Sequence, residues 1–120
     1  MHDAAFLATL LDSLKDPFLF VDTGHVIRYM NKAAVGHYKE GATLLGRSIF
    51  ACHNAASQGQ MVEIVAAFQA GEEERLITDN AKHRIFMRAV RDPAGQLLGY
   101  YERYEPPTAA PRPARPATRA

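Results

Sequence analysis

The stretch "FLFVDTGHVIRYMN", residues 18–31, predicts the first hairpin of a β-sheet. Residues 18–22 form an apolar run that is too short for a helix and suits a well-covered strand. Residues 23–25 have turn chemistry, because Gly24 can adopt positive φ and its neighbours are small or polar. The segment that follows, residues 26–31, has the length and composition of a second strand. We therefore expect two short antiparallel strands joined by a tight turn.

Upstream of this hairpin, the sequence predicts an amphipathic helix over residues 1–16. Asp3 is suited to cap its N-terminus, and Pro17 ends it because the residue before a proline is pushed out of the helical region. Five apolar side chains recur at helical spacing, namely Phe6, Leu7, Leu10, Leu11 and Leu14.

Downstream, short helical pieces over residues 32–50 precede a longer helix that we expect from Ser57 to Ala70. Two strand-like segments follow at 74–78 and 83–90, and a proline–glycine turn leads into a last strand that ends at residue 105. Hairpins at both ends with helices between them indicate an α+β fold, a five-stranded antiparallel sheet with helices on one face.

The composition changes abruptly after residue 105. Residues 106–120 are rich in proline, alanine and arginine and contain no acidic and no large apolar residue. Such a segment cannot bury enough apolar surface to offset its ordering entropy, so we expect a disordered tail. The predicted organisation is a helix at 1–16, a domain at 17–105 and the tail.

Overall composition narrows the class of protein. The 120 residues suffice for one modest core, and the net charge of +1 gives no reason to expect a nucleic-acid partner. The single cysteine cannot form an intrachain disulfide, the N-terminus has no basic signal-peptide region, and no apolar run could span a membrane. We expect a soluble cytoplasmic protein.

Several short motifs resemble those of PAS domains. The hairpin carries the aspartate, glycine, isoleucine and asparagine that recur there, as Asp22, Gly24, Ile27 and Asn31. Residues 44–50 resemble the segment before the long PAS helix, and residues 91–105 resemble the last PAS hairpin. The resemblance covers about residues 4–105 and implies the PAS fold, with the predicted helix 1–16 as an N-terminal amphipathic helix.

A closer resemblance involves the only cysteine. Cys52, His53 and Ser57 match a PAS subgroup of bacterial and archaeal proteins, often found beside hemerythrin-like domains, in which a Cys-His pair and a serine open the helix. This chain contains no hemerythrin-like partner, so the function of such a fusion does not carry over.

The Cys-His pair has structural and chemical interpretations. Ser57 and Gln60 have the spacing of a capping box, with Asn54 as an alternative cap, and Cys52 is suited to a buried apolar position. His53 could hydrogen-bond a loop carbonyl. Alternatively it could be the axial ligand of heme, as in some PAS domains. A protein-only metal site is weaker, since the other histidines lack ligand spacing, and a nucleophilic Cys-His dyad is more remote still.

By resemblance, the chain is a stand-alone bacterial PAS module for sensing and signal transduction, and it is not an enzyme. It would bind a small ligand or a protein partner, including a partner signalling protein. The alternatives are a ligand-free dimerisation or scaffold module and a heme-based gas or redox sensor through His53. No cofactor is assigned with certainty. The apolar side chains that could line a pocket, or simply fill a core, are Phe18, Phe20, Ile49, Phe50, Ile64, Phe68, Ile85, Met87 and Leu98, with His53 beside them.

The N-terminal helix also predicts association. Its broad apolar face would be an unusually large exposed patch on a monomer, and the outer sheet face, with Arg84, Arg88 and Arg103, is a poor cover for it. We expect a homodimer with two-fold symmetry. The predicted contacts are Phe6, Leu7, Leu10, Leu11 and Leu14. Pro106 and Pro107 interrupt any C-terminal signalling helix, so a signal would leave through the N-terminal helix or a noncovalent partner. Tyr29, Tyr100, Tyr101 and Tyr104 are expected to supply surface hydroxyls or a dimer contact.

Overall fold

The computed structural model of the protein describes residues 3–38 and 40–107, apart from the side chain of Cys52. The helices are α1 (Ala4–Asp12), α2 (Lys32–His37) and α3 (Ala55–Gln69), with 3-10 turns at Gly41–Thr43 and Ile49–Cys52. The strands are β1 (Leu19–Asp22), β2 (Ile27–Met30), β3 (Glu74–Asp79), β4 (Arg84–Arg91) and β5 (Leu97–Glu105).

The five strands form one antiparallel sheet in the order β2-β1-β5-β4-β3. The last strand therefore lies in the centre and joins the two hairpins. The predicted α+β fold with a five-stranded antiparallel sheet is confirmed. Gly99 is required at the junction, because a Cβ there would collide with the carbonyl oxygen of Val21 on β1.

Asp22 shapes the first hairpin. Its Oδ1 accepts hydrogen bonds from the backbone N–H groups of Gly24, at 2.9 Å, and Val26, at 3.0 Å, while Arg28 Nε donates to Oδ2 at 2.7 Å. An aspartate that accepts from the backbone two residues on is the usual way in which this side chain closes a turn. The turn residue with positive φ is His25, not Gly24.

The core lies between α3 and one face of the sheet. Met61, Ile64, Val65 and Phe68 recur at helical spacing and form the buried side of α3. They share one apolar cluster with strand residues, among them Val21, Ile27, Met87, Ala89 and Tyr100. Burial of these side chains is the main stabilising contribution to the fold.

Asn31 joins four segments of the chain. Its side chain is completely buried. Oδ1 accepts from the N–H of Ala34, which caps α2, and from that of Phe18, which precedes β1, at 2.8 and 2.9 Å. Nδ2 donates to the carbonyl of Leu11 in α1 at 2.8 Å and to that of Asp16 in the linker at 3.2 Å. One amide thus makes four hydrogen bonds to buried or partly buried backbone groups.

Three sequence-based expectations need correction. The first helix is capped by Asp3 as predicted, but it ends at Asp12, because the Ser13 backbone already caps it. The long helix begins at Ala55, two residues before the predicted start. Its cap is Asn54, whose side chain accepts from the N–H of Ser57 at 2.9 Å. The alternative cap is therefore the correct one.

Two further expectations concern the chain ends and membranes. The predicted tail falls mainly on residues 108–120, which lie outside the described residues. Within the described part of the chain, no helix is both long enough and apolar enough to cross a bilayer.

We expect Asn31→Ala to lower the free energy of unfolding by about 3 kcal/mol or more, because it leaves several buried backbone groups unsatisfied. Urea denaturation followed by circular dichroism measures the change. Asn54→Ala is the matched control: it removes one exposed cap bond and should cost about 1 kcal/mol. Equal losses in the two variants would contradict the central role of Asn31.

Candidate functional site

A cavity of about 440 Å³ lies in the domain interior between the sheet and the helices. Its walls come from every layer of the fold. The lining residues are Pro17, Leu19, Val21, His37, Tyr38, Leu44, Ile49, His53, Met61, His83, Ile85, Met87, Tyr100, Tyr101, Glu102 and Tyr104. The lining combines apolar side chains with tyrosines, histidines and one glutamate.

The polar part of the sheet wall comes from alternate residues of β5. Tyr100, Glu102 and Tyr104 are two residues apart, so their side chains point to the same face of the strand. They lie opposite Ala89, Met87 and Ile85 of β4 in the antiparallel register. The result is a row of hydroxyl, carboxylate and hydroxyl beside a row of apolar side chains.

The opposite wall is held in place by backbone pairing with the first hairpin. The N–H of Ile27 donates to the carbonyl of Arg47 at 2.9 Å, and the N–H of Ile49 donates to that of His25 at 2.8 Å. The His25 ring stacks on Phe50 with a centroid separation of 4.5 Å. Its Nδ1 lies 3.1 Å from the hydroxyl of Tyr100. These contacts bring the 3-10 turn Ile49–Cys52 to the mouth of the cavity.

His53 follows that 3-10 turn and lines the cavity. Its Nδ1 lies 2.9 Å from the carbonyl oxygen of Ile49, an acceptor that requires the hydrogen to be on Nδ1. In the neutral ring Nε2 is then unprotonated and can accept a hydrogen bond or bind a metal. Gln58 fixes the connection to α3, since its Nε2 donates to the carbonyls of Phe50 and His53 at 3.0 and 2.8 Å.

Glu102 carries the distinctive electrostatics of the site. Burial raises the pKa of its carboxyl group, and the hydroxyl of Tyr104 and the nearby His53 and His37 oppose that shift only in part. The Tyr104 hydroxyl donates to Oε1 over a long 3.4 Å and is also hydrogen-bonded to Tyr38. Burial likewise raises the pKa values of Tyr100 and Tyr104, so both phenols stay protonated donors.

The residues fit heme only in part. The free Nε2 of His53 is a suitable axial ligand. The two propionate groups of heme need cationic partners, and no lysine or arginine is among the described residues that line the cavity. Heme ligation by His53 therefore stays a prediction. No cluster of three or more His, Cys, Asp or Glu side chains that could hold a metal ion occurs among the described residues.

The structure places four of the ten predicted pocket residues in the cavity wall, namely Ile49, His53, Ile85 and Met87. Ile64 and Phe68 are instead fully buried in the core, because they lie on the side of α3 that packs against the sheet. Leu98 is exposed, since the register with β4 shifts at this point and leaves it without an opposite residue.

The three remaining predicted pocket residues, all phenylalanines, lie outside the cavity wall. Phe18 packs on Tyr101, with ring centroids 4.7 Å apart. Phe50 stacks on His25, and Phe20 lies partly buried beside Gly99. The side chain of Cys52, the other member of the predicted Cys-His pair, lies outside the described residues.

Sequence reasoning missed the polar wall. We expected Tyr100 and Tyr104 to supply surface hydroxyls or a dimer contact, yet Tyr100 is only 2% exposed and both line the cavity. The signal that could have found them is their spacing with Glu102, since three polar or aromatic residues at period two share one strand face. His37 and Tyr38 carry no such signal, because α2 brings them to the cavity from outside the sheet.

We expect Glu102→Gln to raise the melting temperature at pH 7.5. A carboxyl group with a raised pKa in the folded state destabilises the native state when ionised, and this cost disappears as the pH falls through the raised pKa towards the ordinary value near 4.5. The stability gained by the substitution should therefore vanish near pH 4. Calorimetry at pH 7.5 and at pH 4 measures the melting temperatures of the wild type and the variant. Glu63→Gln, at an exposed position, is the control. An unchanged melting temperature at pH 7.5 would contradict the assignment.

The chain is similar to known proteins of one family. A family model described as a PAS domain matches residues 7–105. No curated protein matches the sequence. Similar solved structures include a C-terminal domain from Streptococcus mutans, with a TM-score of 0.72 and 19% identity over 88% of this chain and 85% of that one.

Two further structures have the same fold. A PAS domain from Colwellia psychrerythraea has a TM-score of 0.62 at 13% identity, covering 82% of this chain and 93% of that one. A sensory box sensor histidine kinase from Vibrio cholerae has a TM-score of 0.54 at 15% identity, covering 82% and 86%. Membership of the Cys-His subgroup stays a prediction. With its sheet order, its interior cavity and a family match over most of its length, the chain belongs to the PAS domain family.

Proposed function

We propose that this PAS domain is a bacterial sensor module that binds a small molecule in the cavity between the sheet and the helices. The observation that carries the proposal is the cavity itself, a space of about 440 Å³ lined by apolar side chains together with tyrosines, histidines and one glutamate. Ligand sites of small molecules have roughly 300–1,000 Å³ and combine apolar walls with a few polar groups that orient the ligand. The bacterial PAS and sensor-kinase neighbours support the sensor role. The proposal is a binding function and assigns no catalytic residue.

A path for the signal runs from the cavity to α1. His37 and Tyr38, at the C-terminal end of α2, line the cavity, and Asn31 caps the other end of the same helix. The Asn31 amide also donates to the carbonyl of Leu11 in α1. A ligand that displaces Tyr38 would therefore move a short rigid helix whose other end is hydrogen-bonded to α1.

We expect the neutral fluorophore N-phenyl-1-naphthylamine to bind the protein with a stoichiometry of one and enhanced emission, because the apolar wall excludes water from it. Leu44→Trp fills the cavity and should abolish binding. The matched control is Leu45→Trp, since Leu45 is 55% exposed and lies outside the cavity wall. If the wild-type protein does not bind the probe, or if both variants lose binding equally, a ligand function for the cavity is wrong.

A second candidate function, dimerisation through α1, is favoured by the exposure of its apolar face. Four of the five predicted contact residues are 42–48% exposed, namely Phe6, Leu7, Leu10 and Leu14. The fifth, Leu11, is partly buried beside Asn31. The sheet does not cover this face: α1 contacts mainly α2, and the outer arginines are engaged with carboxylates, as in the pair Arg103–Glu74.

We expect sedimentation velocity to show a dimer at micromolar concentration, because pairing would remove this apolar patch from water. Leu10→Glu combined with Leu14→Glu should give a monomer with an unchanged circular dichroism spectrum. Leu45→Glu combined with Val62→Glu changes two equally exposed apolar residues elsewhere and should leave the dimer intact. A wild-type monomer would refute the dimer.

A further inference from the structure

The cavity wall contains a negatively charged side chain but, among the described residues, no permanently positive one. Glu102 is the only carboxylate among the described residues that line it, and no lysine or arginine is among them. An anionic group of a bound molecule would meet histidines and phenols there, but no permanently cationic partner among the described residues. A cationic group would find a carboxylate.

Glu102 lacks the kind of partner that the other carboxylates of this sheet have. On the outer face, Glu74 accepts two hydrogen bonds from Arg103 at 2.7 and 3.0 Å, and the guanidinium lowers the pKa of that carboxyl group. On the inner face, the residue opposite Glu102 in β4 is Met87. Among the described residues, the Tyr104 hydroxyl at 3.4 Å is the only hydrogen-bond donor to the Glu102 carboxylate.

Aromatic rings surround this carboxylate. Tyr100 and Tyr104 flank Glu102 on the same strand face, and Tyr38 is hydrogen-bonded to Tyr104. The electron-rich faces of such rings attract cations, and the attraction grows as water is excluded. The wall also contains apolar side chains, among them Val21, Leu44 and Met61. These side chains suit the apolar body of a ligand.

We propose that the cavity selects a small monoamine, a molecule with an apolar body and one protonated amino group that donates to the Glu102 carboxylate between the tyrosine rings. This inference rests on the proposed ligand-binding function and names the class of ligand. The amine supplies a permanently cationic partner, which no described residue of the cavity wall provides, and the partly buried carboxylate becomes a source of affinity and specificity.

Three compounds with the same phenylethyl-type body and different head groups test the inference: 2-phenylethylamine, 2-phenylethanol and phenylacetate. Each is titrated as a competitor of bound N-phenyl-1-naphthylamine. We expect the amine to bind roughly tenfold more tightly than the alcohol, because its hydrogen bond to the carboxylate is charge-assisted, and phenylacetate to bind most weakly.

Glu102→Gln should remove the preference for the amine over the alcohol. Fluorophore binding shows at the same time that the variant is folded. Glu63→Gln, an exposed change of the same kind on α3, should keep the wild-type preference.

Equal binding of the three compounds, tighter binding of phenylacetate, no competition by the amine, or a preference that persists in Glu102→Gln would each overturn the inference. In these cases fluorophore binding would still support the cavity as a ligand site. Absence of fluorophore binding to the wild-type protein would instead refute the ligand function, and the monoamine with it.

Discussion

The side-chain amide of Asn31 is the contact on which the arrangement of the N-terminal half depends. Its oxygen and nitrogen satisfy backbone groups of α1, the linker, β1 and α2 at once, and the side chain is shut off from water. An asparagine is suited to this position because it is both donor and acceptor, whereas an aspartate would only accept. In the proposed sensor, the same amide connects the cavity to α1, since it links α1 to α2, the helix beside the cavity.

The two faces of the sheet differ in how their charged side chains are paired. On the outer face, Arg84 and Arg103 lie over the ring of Phe86 and pair with neighbouring carboxylates. On the inner face, Glu102 lies among tyrosines and apolar groups with one long hydrogen bond. A sheet optimised only for stability would carry an apolar residue at that position, because burial of an unpaired carboxylate is unfavourable. Local conflicts of this kind mark functional sites, where stability is exchanged for a recognition group.

The residues that resemble PAS motifs have direct physical roles here. Asp22 closes the hairpin turn through two backbone hydrogen bonds, and Gly99 allows β5 to approach β1. Ile27 is completely buried in the core. These positions build the frame and do not line the cavity. This explains how a family can keep its fold while the residues that meet the ligand differ from one member to the next.

The sequence by itself determined the order of helices and strands, the buried side of α3 and the hairpins, because each depends on local spacing and turn chemistry. It could not assign the cavity wall. In β5, Tyr100, Glu102 and Tyr104 alternate with Tyr101, Arg103 and Glu105, and both sets mix aromatic and charged residues. Strand alternation separates the two sets, but only packing against α3 and the 3-10 turn Ile49–Cys52 decides which one is covered. His37 reaches the cavity only because the buried Asn31 orients α2, a long-range contact that no local pattern reveals.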